Sequence, residues 1–231
     1  MAARDSSRDP FCVRSARVSK KELDLAVLVA DADTESVVHT LLENRWAALN
    51  IRKIKFQIIR DIGRDPGVYK QADSILKPSL RSAQHALVML DRAGSGQEHK
   101  LSAQQMENDL EARLSQSGWP SGCCAAIVID PELELWVWSR SPHVPAVLGL
   151  SEDSLQQVLT RFKLSANGKP LDPKSALEVA LRQSRRPRSS AIFKELASRV
   201  SLDPKNANER AFNKLRLTLQ RWFPQNEPGQ I

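Results

Sequence analysis

The sequence lacks several features that would place it in a well-known class. No run approaches the ~18 apolar residues that a membrane-spanning helix needs. The three cysteines, Cys12, Cys123 and Cys124, show no CxxC spacing, so a disulfide framework is not expected. The N-terminal segment, residues 1–22, has no apolar stretch typical of a signal peptide, and its composition predicts a flexible segment. These absences favour a cytoplasmic protein with reduced cysteines.

The common signatures of nucleotide-binding and hydrolytic enzymes are also missing. Neither GxxxxGK[ST] nor GxGxxG occurs, so the segment DRAGSG at 91–96 gives only weak support to a small-molecule nucleotide-binding protein. The four histidines show no pairing typical of a zinc site. No nucleophile elbow surrounds a serine or a cysteine. The candidate functional residues are therefore the acidic and basic side chains.

The positive charge is concentrated in the second part of the chain. Residues 1–150 contain 19 Lys and Arg and 19 Asp and Glu, whereas residues 151–231 contain 15 and 8. The formal net charge of +7 therefore belongs entirely to the second part. An acidic partner such as nucleic acid is expected to meet residues 151–231.

Apolar runs and helical periodicity predict the fold class. Strands are predicted at 25–30, 54–59, 85–90 and 124–129, and the helical pattern lies between them at 34–48, 67–82 and 102–117. This order predicts an α/β domain over 23–150, with a mostly parallel four-stranded sheet flanked by helices. After residue 150 only helical patterns occur, so 151–231 is expected to be a basic, all-helical C-terminal extension.

Carboxylates directly follow three of the four predicted strands. They are Asp31, Asp33 and Glu35 after the first strand, Asp91 after the third, and Asp130, Glu132 and Glu134 after the fourth. Because parallel strands end at one edge of a sheet, we expect these side chains to converge there. Each acid taken alone is also explained by helix capping, a turn or an outward-facing position.

Clustered carboxylates favour a proton or a bound cation, and Mg²⁺ prefers oxygen ligands. The sequence therefore predicts a Mg²⁺ site, with Mn²⁺ as a substitute. Its predicted ligands are Asp31, Asp33, Glu35, Asp91, Glu132 and Glu134.

A basic segment in the second part is the strongest candidate for contact with nucleic acid. The run RQSRRPRSS at 182–190 contains four arginines, Arg182, Arg185, Arg186 and Arg188. Guanidinium groups suit phosphate oxygens, and such a run is typical of sequence-independent binding. A solvated loop between two helices explains the run equally well.

The strand ends and the helical tail together resemble the TOPRIM-like fold. The matching features are an acid with Thr-Glu following after the first strand, Asp91 after the third, and PELELW at 131–136 after the fourth. The helical segments FKELASRVSLDP and AFNKLRLTLQRWF extend the likeness, which covers roughly residues 23–223. The chain is most similar to a bacterial family of uncharacterised TOPRIM-like proteins, several of which are encoded beside phage-defence genes. Within it, the chain looks most like an accessory protein of a methylation-associated defence system.

The resemblance implies Mg²⁺-dependent chemistry on DNA, with Asp31 in the position of the acid/base residue and Asp91 in that of a metal ligand. Glu132 is expected as the third catalytic residue, and Glu132 and Glu134 are expected to complete the coordination. Two departures from the family pattern matter: Asp31 is shorter than the glutamate expected there, and Ala93 stands in place of a second aspartate. Two expectations therefore stay open. One is a nuclease or nicking subunit of an anti-phage system. The other is a catalytically inactive TOPRIM-like module that binds DNA or other defence proteins, without a membrane partner.

Overall fold

A four-stranded, all-parallel β-sheet lies at the centre of the computed structural model, which describes residues 21–202 and 209–225. The strands are β1 (Leu23–Val29), β2 (Phe56–Arg60), β3 (Ala83–Asp91) and β4 (Cys124–Ile129). They lie in the order β2-β1-β3-β4 across the sheet. The predicted α/β class and parallel sheet are confirmed. The N-terminal segment predicted to be flexible lies outside the described residues except for its last two positions.

Burial explains why three strands have continuous apolar sequences. β4 is buried at every position, and β1 and β3 are buried over most of their lengths, because helices cover both faces of the sheet. β2 has the sequence FQIIR and lies at an edge, where none of its residues is fully buried. Its mixed composition therefore reflects its position.

Eight α-helices surround the sheet within the described residues. They are α1 (Ala32–Asn44), α2 (Arg64–Leu76), α3 (Ala103–Gln116), α4 (His143–Leu148), α5 (Glu152–Leu159), α6 (Pro173–Gln183), α7 (Ser190–Arg199) and α8 (Arg210–Trp222). The helix predicted over 67–82 instead ends at Leu76 and continues as a 3-10 segment containing Pro78, because proline cannot extend the α-helical hydrogen bonds. None of these helices is long and apolar enough to cross a membrane.

The two faces of the sheet belong to two separate hydrophobic clusters. Leu25, Val27 and Val29 of β1 point into a cluster with α1 and the helices after residue 150, including Leu177 and Phe212. The intervening residues of β1 point into a second cluster, formed with α2 and α3. The predicted helical extension is confirmed, and its helices share a core with the sheet.

The chain reverses its direction of travel across the sheet between β1 and β3. β2 lies on one side of β1, whereas β3 and β4 lie on the other. In open parallel sheets the crevice beyond this point, at the carboxyl ends of the strands, is where ligands usually bind. Asp31 follows β1 and Asp91 ends β3, so both lie beside this crevice.

Candidate functional site

A pocket of about 490 Å³ opens at the carboxyl edge of the sheet. It is lined by acids that follow all four strands. These acids are Asp31, Asp33, Asp65, Asp91, Glu132 and Glu134. The structure therefore brings together five of the six predicted ligands and adds Asp65, which was not predicted.

Glu35 is the predicted ligand that the structure does not bring to the pocket. Its carboxylate lies 3.0 Å from the Arg60 guanidinium, and both side chains are largely exposed. Glu35 instead lines a different groove together with His39 and Lys53. Its place in the first turn of α1 fits a stabilising interaction with the helix dipole.

Asp31 combines helix capping with a position in the pocket. Its Oδ1 accepts a hydrogen bond of 2.8 Å from the backbone N–H of Thr34, which makes it the N-cap of α1. The capping interpretation is therefore correct for this oxygen. A capped carboxylate is held in one orientation, and this one lines the pocket.

Asp91 has a buried oxygen without a partner. Its Oδ1 is inaccessible to solvent and accepts no hydrogen bond from the described residues. Burial raises the pKa of Asp91 well above its usual range, and the neighbouring carboxylates of Asp65, Glu134 and Asp31 raise it further. The backbone N–H of Leu133 opposes this only in part. Such a group requires a proton or a cation.

Asp65 comes from the start of α2 and contacts the end of β3. Its Oδ1 accepts a 2.8 Å hydrogen bond from the backbone N–H of Asp91. Burial raises the pKa of Asp65, and the nearby Asp31 carboxylate acts in the same direction. Asp65 follows β2, so the rule that carboxylates after parallel strands converge at one sheet edge would have predicted it. The strand at 54–59 was predicted, but the rule was applied only to the ends of the other three strands.

Glu132 and Glu134 lie at the start of the 3-10 segment Leu133–Trp136 and not on a strand. Burial raises the pKa of Glu132, and the Glu134 carboxylate adds to the effect. Lys174 Nζ lies 4.0 Å from Glu132 and is half exposed. The Glu134 side chain is only 5% exposed, so its charge needs a close partner.

Arg188 is that partner and reaches into the pocket from the segment between α6 and α7. Its Nη2 donates to Asp33 Oδ2 at 3.0 Å and to Glu134 Oε1 at 2.6 Å. Ser190 Oγ donates to the other oxygen of Asp33 at 2.6 Å. Burial lowers the pKa of Arg188, but the hydrogen bond with Glu134 and the two negative charges raise it overall.

The other arginines of the predicted nucleic-acid-binding segment fall into two groups. Arg186 donates to the carbonyl of Val147 and lies 3.5 Å from Glu195, so it joins α4 to α7. Arg182 and Arg185 are exposed, and neither forms an ion pair with any residue in 21–202 or 209–225. The structure therefore leaves two of the four guanidinium groups available to an outside partner.

The acids do not form a ready-made metal cage. Within the described residues, no group of three or more His, Cys, Asp or Glu is arranged to hold a metal ion as the side chains stand. Asp33 and Glu134 contact Arg188 instead. The oxygen donors and the unpartnered Asp91 oxygen nevertheless fit the chemistry of Mg²⁺, which binds through one or two carboxylates plus waters. Binding in this pocket requires side-chain rotation.

Comparisons of the chain with protein-family models, with curated proteins and with solved structures found no match. The resemblance to TOPRIM-like proteins therefore stays a prediction from the sequence motifs.

Proposed function

We propose that this chain binds Mg²⁺ at the carboxyl edge of its sheet and cleaves or nicks a DNA phosphodiester bond. The observation that carries the proposal is the unpartnered, buried Oδ1 of Asp91 in a pocket lined by five further carboxylates. A cation offsets the cost of burying these charges and uses the vacant oxygen. The basic second part of the chain supports an acidic polymer as the substrate.

Asp31, Asp65 and Asp91 are the residues that would hold the ion. Asp65 supplies a second carboxylate beside Asp91. In the family pattern this second carboxylate stands at the position that Ala93 occupies here. When bound, Mg²⁺ polarises a phosphoryl oxygen and lowers the pKa of bound water. Mn²⁺ is the expected substitute.

Glu132 suits the transfer of a proton to the leaving oxygen. Its raised pKa lets it hold a proton closer to neutral pH than an ordinary glutamate does. General acids work best when their pKa lies near the working pH. The capped Asp31 carboxylate lies in the same pocket and is positioned to accept a proton or to hold the metal.

The same proposal places the chain in a bacterial anti-phage system. There it would act in the cytoplasm together with other defence proteins. This placement is supported by the likeness of PELELW and the two C-terminal helical segments to the TOPRIM-like family. Co-purification of the chain with the products of neighbouring genes tests this part separately from the chemistry.

A catalytically inactive module that binds DNA or protein is the second candidate. Ala93 in place of the second aspartate favours it, as does the engagement of two carboxylates by Arg188. In this case the acids orient Arg188 and stabilise the fold without a metal. DNA affinity would then be equal in EDTA and in Mg²⁺.

Calorimetric titration with Mn²⁺ tests the first proposal. We expect saturable binding to the wild type, loss of binding in Asp91→Asn, and little change in Asp130→Asn. Asp130 is a matched control because it follows β4 and is exposed, but does not line the pocket. Supercoiled plasmid should then be nicked by the wild type in Mg²⁺ and not by Asp91→Asn. Nicking that is unaffected by Asp91→Asn would refute the catalytic proposal.

A further inference from the structure

The pocket divides into two halves according to what its acids contact. Asp33 and Glu134 both bind the same nitrogen of Arg188. Among the described side chains, no cation is hydrogen-bonded to Asp31, Asp65 or Asp91, and Lys174 approaches Glu132 only to 4.0 Å. The acids of one half are thus paired with an arginine of the chain itself, whereas Asp31, Asp65 and Asp91 accept no hydrogen bond from a cationic side chain of the described residues.

Arg188 uses only one of its nitrogen atoms in contacts with the pocket acids. Its Nη2 makes both contacts to the acids, whereas Nη1 and Nε donate to no residue in the described part of the chain. The side chain is 34% exposed and lines the pocket, so a ligand in the pocket can reach the guanidinium group. The guanidinium also lies 5.5 Å from the ring centre of Phe193, which limits its movement.

We propose that Arg188 binds a phosphoryl oxygen of the nucleic-acid strand, and that Asp33 and Glu134 are positioning residues for it and not metal ligands. A guanidinium presents several N–H donors in a planar fork that matches phosphate geometry. The two carboxylates fix that fork through one nitrogen and leave the remaining donors to the ligand. This inference rests on the proposed function, in which a metal ion binds to Asp31, Asp65 and Asp91.

The charges around the pocket support a phosphodiester as the ligand. A phosphate cannot enter a pocket lined by carboxylates alone, because like charges repel. Arg188, Arg64 and Lys174 all line this pocket, and Lys174 is 52% exposed. With a divalent ion bound by Asp91 and these three cationic side chains lining the same pocket, the pocket offers positive charge to a phosphate from more than one group.

Two binding measurements on each variant test the inference: Mn²⁺ affinity by calorimetry, and affinity for a fluorescein-labelled DNA duplex in Ca²⁺. We expect Arg188→Ala to weaken DNA binding about tenfold, the effect of removing one charge-assisted hydrogen bond. Mn²⁺ affinity should change by less than about twofold. Arg81→Ala is the matched control, since Arg81 is an exposed arginine next to the amino end of β3.

Additional variants separate a role in binding from a role in folding. Arg188→Ala leaves the Glu134 carboxylate buried without a partner and could unfold the protein. The double variant Arg188→Ala/Glu134→Gln removes both charges, so it should keep the fold and show the same loss of DNA affinity. Glu134→Gln alone should weaken DNA binding and leave Mn²⁺ affinity unchanged. Arg188→Lys keeps the charge without the fork and should restore only part of the affinity.

Two results would overturn the inference. Unchanged DNA affinity in both Arg188→Ala and the double variant would remove Arg188 from the DNA interface. A marked gain in Mn²⁺ affinity in Arg188→Ala, with loss of Mn²⁺ binding in Asp33→Asn, would make Arg188 a competitor for the metal position. A wild type that binds no Mn²⁺ would instead refute the proposed function, and the same DNA titrations in EDTA would still decide the role of Arg188.

Discussion

At the scale of single residues, the buried carboxyl of Asp91 changes how stability depends on pH. Its pKa is raised in the folded protein because burial and neighbouring acids disfavour the charged form. The folded state therefore holds this proton at pH values where the unfolded state has released it. That contribution to stability is present at low pH and is lost as pH rises from the ordinary value of a carboxyl through the raised pKa.

We expect the metal-free wild type to lose stability as pH rises above about 4, the ordinary pKa of an aspartate, and Asp91→Asn to lose less. At higher pH, Asp91→Asn should be the more stable protein by on the order of 1 kcal/mol, because no charge is buried. Urea unfolding at several pH values measures this difference. Asp130→Asn should follow the wild type, and parallel pH profiles for all three proteins would contradict the expectation.

At the scale of secondary-structure elements, a charged contact joins α8 to α3 behind the sheet edge. Glu107 of α3 is completely buried and binds both terminal nitrogens of Arg210, at 2.8 and 3.0 Å. Lys214 adds a contact of 3.1 Å to the same carboxylate, and the backbone N–H of Val128 donates to it at 2.9 Å. Two basic residues of α8 are thus used inside the molecule.

Glu107→Gln should therefore destabilise the protein by on the order of 1–3 kcal/mol, because a buried amide would replace the acceptor carboxylate and leave donors facing it unpaired. Glu111→Gln is the matched control on the same helix. Glu111 also contacts Lys214, but it is 32% exposed and should cost less than about 1 kcal/mol. Urea midpoints measure both effects. Equal losses of stability in the two variants would contradict the idea that burial decides the cost.

The elements that the sequence predicted well are those whose local pattern matches their environment. Continuous apolar runs marked β1, β3 and β4 because helices cover both faces of these strands. α4 was not predicted, because a helix over His143–Leu148 is too short to show periodicity and contains a proline. The approach of Arg188 to Asp33 joins residues 155 positions apart, and no local pattern encodes such a contact. For this reason the convergence of the acids was predictable, except for Asp65, whereas the contacts of Arg188 with Asp33 and Glu134 were not.

At the scale of the whole molecule, the helices after residue 150 complete the cover of one sheet face. Leu177, Phe193 and Phe212 belong to the same buried cluster as Leu87 and Met89 of β3. Removing residues 151–231 would expose this apolar face to water. The stability of the α/β part therefore depends on the helical part.

A fragment that ends at residue 150 should consequently fail to fold, although the sequence pattern predicts a domain over 23–150. We expect it to bind a hydrophobic dye and to show no cooperative thermal transition, whereas the full chain should unfold in one transition. A fragment with a cooperative transition and native-like near-ultraviolet circular dichroism would contradict this dependence.

The excess positive charge predicts how DNA binding should respond to salt. Replacing the exposed Arg182 and Arg185 with alanine should weaken binding and lower the slope of log affinity against log salt by about 0.9 for each phosphate that is no longer neutralised. Arg81→Ala should leave the slope unchanged. Fluorescence anisotropy across a salt series measures it. Identical slopes for all variants would exclude Arg182 and Arg185 from the proposed contact with DNA.

The distance along the chain between Asp33 and Arg188 also sets the order of events during synthesis. The acids up to Glu134 leave the ribosome first, and the segment that carries Arg188 and Ser190 follows later, because Arg188 lies 155 positions after Asp33. A nascent chain consequently lacks both the arginine half of the pocket and the helices that cover one face of the sheet. Any activity that needs both Asp33 and Arg188 is therefore withheld from the growing polypeptide until the segment that carries Arg188 has been synthesised and has folded.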